Sequence, residues 1–219
     1  MSEEQAAPAE RSTHSDVVEV VATVLLALAA VATAWSSYQA ARWNGHQAET
    51  ASRNNAVRIQ AARAESQAEA ETEVDVALFI QWVDATAAED DELASFYESR
   101  FRAEFQPAFD AWLASEPLTE ADAASTPFAM PEYRLEARAE AERLDAEAEE
   151  LTAIVQRDIQ HATNYVLGVV LFAVALFFAG ISTKVRGLRA RKALVGTGVV
   201  MFAGTAAWIA TFPVNLSIG

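Results

Sequence analysis

Three stretches of the chain are almost free of polar residues. Residues 17–35 read VVEVVATVLLALAAVATAW, with Glu19 the only formal charge, and residues 165–182 and 193–212 carry none. Each is close to the ~20 residues that take a helix across a bilayer's hydrocarbon. One such run could be a buried core helix. Three in 219 residues predict an integral membrane protein. Between the first two runs the pattern turns polar but stays helical, and the third follows the second after a short gap.

The helical reading can be followed outward from the first run. Heptad-spaced positions beginning at Glu19 include Thr23, Ala30, Thr33, Ser37 and Asn44, a small or polar stripe that suits close helix packing or lines a pore. Residues 74–113 then change character. Phe79, Trp82 and Val83, followed by Phe96, Phe101, Phe105, Phe109 and Trp112, recur at helical spacing on either side of the acidic run 89–92. They predict the aromatic core of a water-exposed helical domain rather than a ligand box. Pro107 either kinks that helix or opens the next. Residues 115–130, with Pro117 and Pro127, predict a loop. Pro131 is expected in the first turn of a new helix. Ala137, Ala141, Leu144, Ala148, Leu151, Val155 and Ala162 follow at a period of about 3.5, as in a coiled coil. Nothing interrupts that helix before residue 183.

Alanine dominates the composition, Gly and Pro are few, and there is no cysteine. An all-α fold is expected, with neither disulfides nor thiolate metal sites. Of 16 basic residues, five fall within residues 183–192: Lys184, Arg186, Arg189, Arg191 and Lys192. Short loops rich in Lys and Arg remain cytoplasmic, so these residues are expected to set the topology. The layout that follows is a disordered cytoplasmic tail (1–14), a first span (15–38), an extracytoplasmic helical hairpin or bundle (39–162), a second span (163–183), the basic loop (184–192), a third span (193–212) and a short extracytoplasmic tail (213–219). A cleaved signal peptide is the rival for the first run, since Ala32-Thr33-Ala34 resembles a cleavage site. Its acidic preceding segment and its length argue against that. Asp16 to Glu19 has the spacing of a capping box, which would account for Glu19 at a helix start.

Residues 44–164 hold 26 acids against 9 bases, so nucleic acid is excluded as a partner and cations are attracted. No nucleotide-binding, hydrolase or metalloprotease motif occurs, and no enzymatic activity or cofactor is expected. His46 and His161 each have an acid three residues away, Glu49 and Asp158, and these four are weak candidates for a divalent-cation site. Trp35, Tyr38, Trp43 and Tyr165 are placed to form an interfacial aromatic belt. Small-residue faces (Gly196, Ala203, Ala207 and Ala210 in the third run; Ala175, Ala179 and Thr183 in the second) suit helix packing within or between subunits. The expected partners are the lipid bilayer, further copies of the chain and an envelope protein. The expected role is a non-catalytic structural or interaction protein of the inner membrane. The alternative is an oligomeric cation channel or transport component with an acidic vestibule.

The segments WSSYQAARWNGHQA, PAFDAWLASEPL and TPFAMPEYRL resemble a group of bacterial membrane proteins that share a three-span layout with a helical insert. The resemblance covers most of residues 17–185. It implies that topology alone, because the group has no assigned activity.

Overall fold

The computed structural model describes residues 9–117, 119–120 and 122–216, with side chains from residue 17 onward. Its helices are α1 (Ala9–Ala87), α2 (Asp91–Glu98), α3 (Gln106–Ala114), α4 (Glu136–Ser182) and α5 (Leu188–Ile209), with a 3-10 turn at Pro127–Ala129. No strand occurs among the described residues. Three helices, α1, α4 and α5, are long and apolar enough to cross a membrane. The chain divides into two compact units, one formed by Met1–Ala51 with Ala153–Gly219, the other by Ser52–Thr152. Both α1 and α4 contribute to each.

The first unit contains the three apolar runs. Its interior is built largely from the smallest residues: Ala22, Ala29, Ala162, Ala175 and Ala179 are buried, while Val20, Val31, Val170, Phe177 and Val200 are exposed. This inversion suits lipid, where apolar side chains gain nothing by turning inward and close backbone approach supplies the packing. Two glycines set that approach. A Cβ on Gly198 would lie 3.1 Å from Leu25 Cδ2 and 3.3 Å from the Ala175 carbonyl oxygen, and one on Gly168 would meet Ile209 Cδ1. Tyr165, Phe172 and Ile209 form the larger part of the core with Ala40. Two buried hydroxyls are satisfied by their own helices: Ser182 donates to the Ala179 carbonyl and Thr205 to that of Met201. After α5 the chain is tied back. The Asn215 N–H donates to Gln39 Oε1 at 3.0 Å, and the Tyr165 hydroxyl donates to the Pro213 carbonyl at 3.1 Å.

The second unit pairs the later part of α1 with the start of α4. Val57, Ala61, Ala68 and Asp75 are buried on α1, and Ala141, Leu144, Ala148 and Leu151 on α4. The alternating steps of three and four residues keep one stripe of each helix inward. Asn54 Nδ2 donates to Thr152 Oγ1 at 2.9 Å, and Arg53 pairs with Glu147 at 3.0 Å. Beyond Ala87 the chain folds into short elements. Asp90 caps α2 by accepting from the Leu93 N–H at 3.0 Å, and Asp91 and Glu92 favour the positive end of the helix. Pro107 lies in the first turn of α3, where its missing N–H costs nothing.

Several expectations are corrected. Residues 9–14 belong to α1 rather than to a disordered tail, because Ala, Glu and Arg extend a helix already nucleated; residues 1–8 lie outside the described residues. Residues 16–19 therefore lie inside the helix rather than at its start. Glu19 pairs instead with Arg191 at 3.3 Å. The basic loop is shorter than expected, with Arg189, Arg191 and Lys192 already in α5. Pro131 does not open α4, which begins five residues later at Glu136. The intervening Tyr133 is drawn into the aromatic core, which overrides the local preference.

Candidate binding pocket

The far end of α1 supplies Phe79 and Trp82. α3 supplies Phe109 and Trp112, with Phe105 just before it, and the segment after the loop supplies Phe128, Met130 and Tyr133. Most of these rings meet edge to face, as their quadrupoles prefer. Phe79 and Trp112 stand 5.3 Å apart at 82°, Trp82 and Phe109 4.9 Å apart at 83°. Phe105 is fully buried and is in ring contact with Phe79, Phe101, Phe109, Phe128 and Tyr133. The Trp112 indole N–H donates to the Ala124 carbonyl at 2.8 Å and fixes the loop against α3. Of the aromatic stripe read from the sequence, Phe79, Phe105, Phe109 and Trp112 are buried in this core and Trp82 and Phe101 pack against it, whereas Phe96 and Val83 are exposed.

The same wall of rings is open on one side. Phe79, Trp82 and Trp112 floor a pocket of about 760 Å³, which lies within the ~300–1,000 Å³ of small-molecule sites. Val83 and Leu113, both about two-fifths exposed at 39% and 40%, form its rim together with Pro117. The polar groups are few: Thr86, Thr119, Ser125 and the Glu116 carboxylate. Glu116 follows the end of α3 with φ 51°, in the left-handed region that L residues other than Gly and Asn avoid. Thr119 Oγ1 lies 3.2 Å from the Glu116 carbonyl oxygen and 3.3 Å from its Oε2, so its one proton is shared between the two acceptors.

One turn of α1 below Phe79 lies a charged cluster. Asp75 is fully buried. Its Oδ2 accepts from Arg102 Nη1 at 3.0 Å and from the Tyr133 hydroxyl at 3.2 Å. The guanidinium also pairs with Glu71 at 2.9 Å and with Glu104. Glu104 Oε1 in turn accepts from the Glu136 N–H at 3.1 Å, so the same network begins α4. Three carboxylates face one guanidinium. Asp75 Oδ1 is buried and accepts no hydrogen bond from the described residues. Burial pushes the Asp75 carboxyl above its usual range, with Glu71 adding to it, against the pull of Arg102 and the Tyr133 hydroxyl. Burial likewise raises the Tyr133 phenol. Burial works against the charge on Arg102, but its three carboxylate neighbours raise it overall.

The candidate cation ligands separate. His46 Nδ1 and Asp158 Oδ2 are 2.7 Å apart, so that pair does converge. His161 turns away to lie against Trp43, ring centroids 4.7 Å apart, and Glu49 is exposed. Among the described residues no group of three or more His, Cys, Asp or Glu side chains is arranged to hold a metal ion. The stripe of Thr23, Ala30, Ser37 and Asn44 is exposed, and of its members only Thr33 is partly buried, donating to the Ala29 carbonyl at 2.7 Å. The packed face of α1 lies about one position away, through Ala22, Leu25, Ala29 and Ser36. A strict seven-residue count assigned the stripe, whereas Leu25 and Trp43 decide which face turns inward. Lys184, Arg186, Arg189 and Lys192 are exposed, while Arg191 reaches Glu19. Of the aromatic belt, Trp35 and Tyr38 are exposed and Tyr165 is buried.

Fold and surface define an all-helical protein with three helices able to span a membrane. No family model, curated protein or solved structure matches the chain.

Proposed function

We propose that this chain is a non-catalytic interaction protein of the cell envelope. Its three apolar runs anchor it in the inner membrane. Residues 52–152 stand outside the cytoplasm and capture a ligand or partner in the aromatic pocket. The observation that carries this reading is the open pocket itself. Phe79 and Trp112 are themselves buried, but Val83 and Leu113 beside them stand about two-fifths exposed around a space of about 760 Å³. The five cationic residues at 184–192 support the orientation.

Both parts can be tested. Because the chain has no cysteine, each introduced thiol is the sole one. A membrane-impermeant maleimide on intact cells should label Ser66→Cys and should reach Thr183→Cys only after lysis; the reverse pattern overturns the orientation. A neutral solvatochromic dye should bind the full chain in nanodiscs and be lost with Val83→Trp, which fills the mouth of the pocket. Equal uptake by both proteins would overturn the pocket as the site.

A second reading rests on the exposed stripe of Thr23, Ala30, Ser37 and Asn44 and on the exposed Gly196, Ala203, Ala207 and Ala210 of α5. These leave small-residue surface free for further copies, around which an oligomeric cation channel could form. Native mass spectrometry reports the subunit number. Ion flux into liposomes that falls with Ser37→Leu would support the channel, and absent or unchanged flux would remove it.

A further inference from the structure

We propose that the pocket takes a small lipophilic cation, an aryl or alkyl body carrying one quaternary or protonated amine. The inference rests on reading the pocket as the interaction site. Three observations point to that class. First, the floor is made of ring systems, Phe79, Trp82 and Trp112, and the face of an aromatic ring, of indole above all, attracts a cation desolvated against it. Second, Glu116 is the one ionisable residue among the described residues lining the pocket. Its φ of 51° is the left-handed turn that follows α3, as the like angle at Glu89 follows α1. Third, residues 52–152 carry 24 acids against 8 bases, a field that concentrates cations and repels anions. A neutral hydrophobe would use the ring floor but gain nothing from the other two features.

The matched pair for the test is a biphenylmethyl-trimethylammonium ion and its uncharged carbon isostere, with a tert-butyl group in place of the trimethylammonium. Equilibrium dialysis would use the full chain in zwitterionic nanodiscs, with empty nanodiscs subtracted. The cation should bind about tenfold or more tighter than the isostere. Glu116→Gln should cut that preference by about threefold to fivefold, leaving the isostere's affinity unchanged and the ring faces to supply the remainder. Val83→Trp should abolish binding of both. Equal binding of the pair by the wild type overturns the cation inference while leaving the pocket reading intact. A cation preference unchanged by Glu116→Gln overturns it as well, since the general field and not the rim would then select. Binding of neither compound overturns the pocket reading together with the inference.

Discussion

Replacing Asp75 by Asn should shift relative stability in the variant's favour as the pH rises. Asp75 is fully buried beside two other carboxylates, Glu71 and Glu104, and one guanidinium, and burial outweighs Arg102 in setting its titration, so its folded-state pKa lies above the unfolded value of about 3.9. The sign follows from linkage. A group with a raised folded pKa contributes stability that is fully present below its unfolded pKa and is lost as the pH rises through the folded pKa. Asn cannot titrate and loses nothing over that window. It keeps an oxygen to accept from Arg102 and Tyr133, and Arg102 retains Glu71 and Glu104. The exchange of charge-assisted for neutral hydrogen bonds costs about 1–2 kcal/mol at any pH at which Asp75 is ionised. The single-proton difference is worth at most about 1.4 kcal/mol per pH unit. For a unit of about 100 residues each kcal/mol moves the melting temperature by roughly 4–8 °C. Scanning calorimetry of both proteins from pH 4 to 8 measures the difference, in which the other carboxylates cancel. The variant's melting temperature should climb relative to wild type as the pH rises from 4 through the folded pKa. A flat difference, or wild type gaining on the variant as the pH rises, would show that Arg102 holds the carboxylate ionised and that burial does not govern this site.

Phe105→Ala should remove about 3–5 kcal/mol from the second unit, because the ring is fully buried and touches five others; denaturant titration of the unit would show it. Glu89→Gly should stabilise by about 0.5–1 kcal/mol, since Glu89 ends α1 at φ 58° where glycine relieves the clash; a fall in melting temperature would refute this. Gly198→Ala should destabilise the first unit by about 1–3 kcal/mol, because the new methyl meets Leu25 at 3.1 Å and the Ala175 carbonyl at 3.3 Å. Gly204→Ala, with nothing within 4 Å of the added carbon, should leave it unchanged or slightly more stable by the same melting assay.

Much of the framework was legible. The three apolar runs lie in α1, α4 and α5, and the seam Ala141, Leu144, Ala148 and Leu151 is buried as its period required. Periodicity reports such features because burial acts on one face of a helix at a time. The exact face of α1 in the first unit was less legible. There alanine, serine and threonine occur all round, and packing rather than polarity chooses between neighbouring stripes. The start of α4 was misplaced because Tyr133 answers to partners 58 and 61 residues away, Asp75 and Thr72, which local preference cannot register. The charged cluster did leave a trace: Asp75 stands in the inward stripe between Ala68 and Phe79, where an apolar residue belongs. Its partner Arg102 comes from a turn whose path the sequence does not encode locally. The pocket was invisible for a different reason, because the residues that floor it are also core residues, and an unfilled space has no letter in the sequence.

Trp82 and Trp112 stand 6.3 Å apart at 78°, and both belong to the pocket floor. Two indoles at that separation couple their electronic transitions, and the sign and size of the resulting circular dichroism depend on the angle between them. Any guest that settles against the rings therefore alters an optical signal native to the polypeptide, so occupancy can be followed without attaching a reporter.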